Sequence, residues 1–209
     1  MRTPFSKDQI KHFITSFYGM FPAFSDPHSL RVLLYHSIAK DNSSNNLWSL
    51  NLENFQLHLE CLLASNKNIH SAIKLEHAIP KSGFIITFDD GLTDNFDVAA
   101  PQLIERKMPF TIFVIGNKLK YSSKNYMSKA NLRELSQNPL VTIGSHSFRH
   151  IRLDRCSSKE LKYEIYDSKS YIEDIIGKEI SLFSYPFGAY NKLVISCVKS
   201  AGYKLAFTS

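Results

Sequence analysis

From residue 84 onward the chain alternates short unbroken apolar runs with longer segments of helical period. The runs are residues 84–88, 110–115, 141–144, 182–185 and 205–208. Between them Phe96, Ala99, Ala100, Leu103 and Ile104 recur three and four apart, as do Leu161, Ile165, Ser168, Ile172 and Ile176, then Leu193, Val194, Cys197, Val198 and Ala201. A shorter helix fits around residues 129–136, and Gly202 is placed to end the last one. Strands apolar on both faces, alternating with amphipathic helices, require a parallel sheet covered on its faces. Periodicity alone does not separate an open doubly wound sheet from a barrel. In both, ligands bind at the carboxyl ends of the strands.

Upstream, residues 32–36 read as a further buried strand, residues 41–46 as an Asn- and Ser-rich loop, and Leu52, Phe55, Leu59, Leu62 and Leu63 as a helix. Near the N-terminus Ile10, Phe13, Ile14, Phe17, Tyr18 and Phe21 form an apolar stripe opposite Lys7, Lys11, His12, Thr15 and Ser16, and Pro22 stops it. The expected division is an amphipathic helix and linker over residues 1–29, then one domain over 30–209, in keeping with a length of 209 residues.

The net charge of +6 is spread along the chain without a tight basic run interleaved with aromatics, so no nucleic-acid partner is expected. It does suit contact between residues 7–21 and an anionic membrane surface, the alternative being that the stripe packs on the domain. No stretch approaches the ~20 apolar residues of a membrane span, and Asp8 and Lys11 interrupt any signal-peptide core. The expectation is a cytoplasmic protein with peripheral membrane association. Cys61, Cys156 and Cys197 lack ligand or redox spacing and are expected to be small buried hydrophobes.

Four strand ends carry residues suited to chemistry: His36, then Asp89-Asp90-Gly91, then His146 with His150, then Tyr185-Pro186-Phe187-Gly188. Adjacent carboxylates in a low-dielectric site repel each other. A metal ion on one relieves the repulsion and leaves the other free as a base. Asp-Gly is also a common turn pair, so this motif alone is ambiguous. Two imidazoles at the spacing of His146 and His150 can converge on one cation, and two His plus one carboxylate leave positions open for water and substrate. A paired-carboxylate glycosidase is a poor fit, because neighbouring Asp residues cannot flank a glycosidic bond at ~5–9 Å.

Thr87-Phe88-Asp89-Asp90-Gly91, His146-Ser147-Phe148-Arg149-His150 and the stretch from Phe183 to Asn191 resemble, in order, the three motifs of the polysaccharide deacetylases, the NodB-homology or carbohydrate esterase family 4 domain. The resemblance covers roughly residues 30–208. It implies a distorted α/β (β/α) barrel of about six to seven parallel strands and removal of N-acetyl groups from amino sugars of a polysaccharide or glycolipid. It further implies Asp90, His146 and His150 as ligands of Zn2+ or another divalent transition metal, and Asp89 as general base toward the attacking water. The Phe187 amide would hold the oxyanion, with Tyr185 and Pro186 shaping the substrate groove.

Two departures stand out. Family members carry an arginine in the third motif that braces the catalytic Asp, and this chain offers Ser184 there. They also carry a later Asp- and Trp-containing motif and a C-terminal histidine as general acid, and no His follows His150 here. The branch that includes the biofilm poly-N-acetylglucosamine deacetylases is similar to a circular permutation, with the acid on an early strand in a Tyr-His pair. Tyr35-His36 fits that position and makes His36 the expected general acid, the competing reading being a packed or capping histidine. The barrel is expected to be incomplete at the C-terminus. A weakly active carbohydrate-binding relative, or a hydrolase of another amide or ester, are the alternatives.

Overall fold

In the computed structural model, which describes residues 29–40 and 48–208, eight strands follow in order: β1 Leu30–Tyr35, β2 Ser37–Ala39, β3 Ser49–Asn51, β4 Gly83–Phe88, β5 Phe110–Val114, β6 Val141–Ser145, β7 Leu182–Ser184 and β8 Leu205–Phe207. The amphipathic segment 7–21 and the loop expected at 41–46 lie outside the described residues. β2 and β3 pair as a separate parallel ribbon that the sequence reading did not resolve. The other six form one parallel sheet in the order β1-β4-β5-β6-β7-β8. Seven helices are described: α1 Leu52–Ala64, α2 Ala100–Glu105, α3 Gly116–Lys120, α4 Lys129–Ser136, α5 Ser158–Lys162, α6 Ser168–Ile176 and α7 Lys192–Ser200, besides short 3-10 and π turns.

The sheet curls into an incomplete barrel. The rings of Phe113 on β5 and Phe207 on β8 lie 5.3 Å apart, although on a flat sheet three strand spacings would separate these strands by about 14 Å. Gly144 on the intervening β6 makes room. A Cβ there would sit 2.5 Å from the Phe113 ring. Phe113 joins Ala72, Ile85 and Leu182 in a small inner cluster, with Leu30, Leu205 and Phe207 packed against it. β1 and β8 are the edges of this sheet, and the inward-facing Val32 and Leu34 of β1 stay exposed there.

The larger core lies between the outer sheet face and the helices. Phe84, Ile86, Phe88, Phe110, Ile112 and Phe183 pack under Phe55 and Leu59 of α1, Leu103 of α2, Ile172 of α6 and Val194 of α7. All positions of β4 and β5 are buried, which is why both runs are apolar without alternation. Burial of each such side chain stabilises the fold by roughly 1.5–3 kcal/mol.

Local signals fix several boundaries. Asn191 accepts from the Val194 N–H at 3.0 Å and caps α7. Gly202, at φ 89°, leaves that helix in the left-handed conformation. What the sequence presents as two uninterrupted helices each contain a π turn, Asn95–Ala99 before α2 and Tyr163–Asp167 between α5 and α6. The cysteines correct one expectation: Cys61, Cys156 and Cys197 are free but only half-buried, because each sits at the margin of its helix or loop packing.

Candidate metal and catalytic site

Parallel register brings the strand ends to one rim. Tyr35 pairs with Phe88, and the Asp89 N–H donates to the Tyr35 carbonyl at 2.9 Å, which carries the ladder one residue past the strand. Phe88 faces the outer core, so alternation turns Asp89 inward. Asp90 and Gly91 then take φ of 73° and 70°, a left-handed pair that bends the chain sharply. Asp tolerates that region better than most residues. Gly91 has no substitute, since a Cβ would lie 2.8 Å from Val114 Cγ1.

His146 continues β6 in the same way, its N–H donating to the Val114 carbonyl at 2.9 Å. Its Nδ1 lies 2.9 Å from the Ser184 carbonyl. A carbonyl only accepts, so Nδ1 carries the proton and Nε2 presents a lone pair to the site. That Nε2 is 3.7 Å from both Asp89 Oδ2 and Asp90 Oδ1, and His150 Nε2 is 3.4 Å from Asp90 Oδ1.

The fit to a cation is good. The ligand atoms of Asp90, His146 and His150 lie within 4.8 Å of one another. A tetrahedral ion with ~2.0–2.2 Å ligand distances spans ligand edges of about 3.3–3.6 Å. Asp90 Oδ1, the oxygen facing both imidazoles, is buried without a hydrogen-bond partner, and a cation shared with His146 and His150 would satisfy it. Burial is the chief cause that holds the pKa of His146 and of His150 down to about 4, with Asp90 opposing it. Both are therefore neutral at pH 7, the form that ligates a metal.

Asp89 is 5% exposed. Ser184 Oγ donates to its Oδ2 at 3.1 Å, and Oδ1 is buried without a partner. Ser184, which stands in the motif where the resemblance led to an arginine in other members, itself holds Asp89. Burial pushes the Asp89 pKa up to about 7. The charge on His36 and the Ser184 hydrogen bond pull it down, and Asp90 adds to the rise.

His36, half-buried after β1, acts through its charge on Asp89, His146 and His150 alike, which places it at the same rim. The Asn95 side-chain amide holds its carbonyl at 2.7 Å. Tyr35 points the other way, into the outer core against Phe55 and Phe88, with its hydroxyl on His58 Nδ1 at 3.2 Å. In the third motif the Tyr185 N–H pairs with the Phe207 carbonyl at 2.9 Å. Phe187 follows at φ 59° with its ring 60% exposed and 4.6 Å from that of His150. Tyr185 and Pro186 are buried and support the rim from beneath.

Sequence reasoning passed over several neighbours. Trp48 precedes β3 and is 68% exposed, with its ring 5.2 Å from that of His36. Tyr126 is pinned beside Gly91 by the Met127 N–H to Gly91 carbonyl bond at 3.0 Å. Burial and the charge of Asp90 raise its hydroxyl pKa. Lys118 lies 4.8 Å over the Tyr126 ring, and its charge also reaches His150. None of these has a spacing signal.

A candidate Asp-His-His cation site beside a buried carboxylate, on the carboxyl rim of a parallel α/β barrel, defines the class to which this protein belongs. The family model for polysaccharide deacetylase matches residues 78–206, and the chain belongs to that family. It is 28% identical to YxkH of Bacillus subtilis over 189 residues, 88% of this chain and 65% of that protein. It is 28% identical to a chitooligosaccharide deacetylase of Azorhizobium caulinodans over 124 residues, 58% of this chain and 56% of the relative. The chain thus spans less than two thirds of each. A poly-beta-1,6-N-acetyl-D-glucosamine N-deacetylase of Staphylococcus aureus is 22% identical over 87% of this chain and 72% of its own length. Among solved structures, the deacetylase PplD of Streptococcus pyogenes in complex with acetate superposes with a TM-score of 0.80 at 24% identity, over 88% of this chain and 84% of that one. IcaB from Ammonifex degensii gives 0.77 at 21% identity, over 87% and 84%. These two likenesses establish the fold.

Proposed function

We propose that this protein is a divalent-cation-dependent hydrolase that removes N-acetyl groups from amino sugars of a polysaccharide or glycolipid. The observation that carries the reading is the convergence of Asp90, His146 and His150 around one orphaned carboxylate oxygen, with Asp89 and His36 beside them. Relatives named for chitooligosaccharides and for poly-beta-1,6-N-acetyl-D-glucosamine support an N-acetylglucosamine-type substrate. The catalytic unit runs over residues 30–209, since β1 leads directly into His36 and forms a full edge of the sheet. Among the described residues no helix is long and apolar enough to cross a membrane.

Asp90, His146 and His150 would hold a zinc-class ion, which supplies a Lewis acid for the acetyl carbonyl and lowers the pKa of water towards ~7. Asp89 accepts the proton of the attacking water as it adds to the carbonyl carbon. The Phe187 N–H, presented by its left-handed backbone, donates to the oxygen that becomes negative. His36 protonates the nitrogen as the C–N bond breaks, leaving acetate and a free amine. Ser184 keeps Asp89 oriented throughout.

Elemental analysis combined with acetate release from N-acetylglucosamine oligomers tests the reading. The expected result is about one zinc-class ion per chain, acetate release that a chelator stops, and loss of most of the metal in His146→Ala. Metal content unchanged in that variant overturns the ligand assignment. Release from simple esters but never from N-acetylated sugars would make the protein a hydrolase of another class, and sugar binding without turnover a binding relative. Trp48, the sole tryptophan of the chain, reports on substrate directly. Titration with the oligomers is expected to change its fluorescence saturably, because sugar faces stack on exposed indoles beside the reacting group. Unchanged emission at concentrations that saturate turnover would remove Trp48 from the groove.

A further inference from the structure

Glu164 has no solvent exposure and lies outside every motif that carries the proposed chemistry. A carboxylate so deeply buried is tolerated only where its lone pairs and its charge are both satisfied. All the donors recorded for it come from one dipeptide. The Phe148 N–H donates to Oε2 at 3.2 Å, the Arg149 N–H to the same oxygen at 2.8 Å, and Arg149 Nε to Oε1. That dipeptide sits between His146 and His150, the two imidazoles of the candidate metal centre.

We infer that Glu164 is a positioning residue for the metal centre, a buried clamp that holds the loop 147–150 in the one shape that presents His150 to the cation. The inference rests on the reading of Asp90, His146 and His150 as a metal site. The loop needs a clamp because its backbone is unfavourable on its own. Ser147 and His150 both take left-handed conformations, φ 63° and 60°, without being glycine, and such residues persist only where their surroundings over-determine them. The loop's other hydrogen bonds join neutral groups: the His150 N–H donates to Ser147 Oγ at 3.0 Å, the Gly116 N–H to the Ser147 carbonyl at 3.1 Å and the Asn117 N–H to the Phe148 carbonyl at 2.8 Å. Phe148 anchors the middle of the loop between Tyr163 and Tyr171.

The helix that supplies Glu164 is built for the purpose. Residues 163–167 form a π turn, and within it Glu164 lies on the inward stripe of the helix, three residues after the buried Leu161 and four before the buried Ser168. Ile165 joins the apolar core while Glu164 reaches the loop amides. π insertions of this kind are frequent at functional sites.

The test uses the full chain as parent, Glu164→Gln and Glu164→Ala. Each is titrated with Co2+ in place of the native ion, and hydrogen exchange of the Phe148 and Arg149 amides is followed without metal. Glutamine keeps one acceptor for the amides but sets an NH2 against Arg149 Nε. Co2+ affinity should therefore fall about 10- to 100-fold, as for other outer-shell partners of metal ligands. The Co2+ absorption band should change shape as the His150 imidazole moves, and the two amides should lose protection while the remaining helices keep theirs. Alanine should exceed glutamine in each respect. If it does not fold, the glutamine variant alone decides. Parental affinity, spectrum and protection in Glu164→Gln overturn the clamp and leave the metal site standing. An affinity loss that merely tracks the fraction unfolded overturns it as well, in favour of a general stabilising role. A parent chain that binds no Co2+ defeats the metal reading first and the clamp with it.

Discussion

Asp89→Asn should keep its metal and lose turnover about 100- to 10,000-fold, the usual worth of a general base, whereas Asp90→Asn should lose both. The two carboxylates are neighbours in sequence with different surroundings. Asp90 Oδ1 faces the Nε2 atoms of both histidines at 3.4 and 3.7 Å. Asp89 meets only His146, at 3.7 Å, and shares that oxygen with the Ser184 hydroxyl. Asparagine preserves the shape of each side chain. At 90 it removes the anionic ligand, and at 89 it removes only the capacity to accept a proton. Ser184→Ala supplies the sign of the effect. The hydroxyl stabilises the ionised Asp89, so its removal should shift the acid-side fall of the pH–rate profile to higher pH, in the direction burial already pushes that carboxyl. Metal content by elemental analysis and kcat on N-acetylglucosamine oligomers separate the roles. Equal metal loss in the two Asp→Asn variants would reverse or dissolve them.

How far these roles could be read in advance follows from where each signal sits along the chain. The meeting of Asp89, Asp90 and His146 was legible because they stand at strand ends, and a parallel sheet sends every strand end to the same rim; His150 was legible only by its spacing from His146. β4 and β5 announced themselves as runs too apolar for a half-exposed strand. The curl of the sheet was less accessible. It depends on Phe113 reaching Phe207 past Gly144, a contact between segments nearly a hundred residues apart that no local period encodes.

The bracing of the site was hidden for the same reason. Ser184 looked like the loss of an arginine, and only the fold shows its hydroxyl on Asp89. Glu164 looked like a charged residue on an amphipathic helix. Its spacing from Leu161 and Ser168 puts it on the inward stripe, but no local signal names the Phe148 and Arg149 amides as its partners. The β2–β3 ribbon, three residues on each side, is too short to carry any period. Trp48 and Tyr126 stand on connecting segments, where composition says nothing about which catalytic group lies within reach.

His36→Ala should lower kcat about 100- to 10,000-fold while metal content stays at the parental level. Three placements support this. His36 follows β1 and Asp89 follows its partner β4, whose last paired residues are Tyr35 and Phe88, so the two residues emerge side by side from paired strands. Its charge acts on Asp89 and on both histidines of the metal centre, yet it is not one of the three ligating residues. The backbone at this point is fixed by the Asn95 amide and the ring lies against Trp48, so the imidazole is held at the mouth of the site, where an amine would depart. An acid that acts as the amine leaves contributes to the transition state more than to binding, so KM should change less than kcat. Asn95→Ala serves as a second probe, because it frees the His36 carbonyl without touching the ring; it should lower kcat less than His36→Ala. Near-parental kcat in His36→Ala would mean that the departing amine takes its proton from another group, and His36 would then be a packing partner of Trp48 alone.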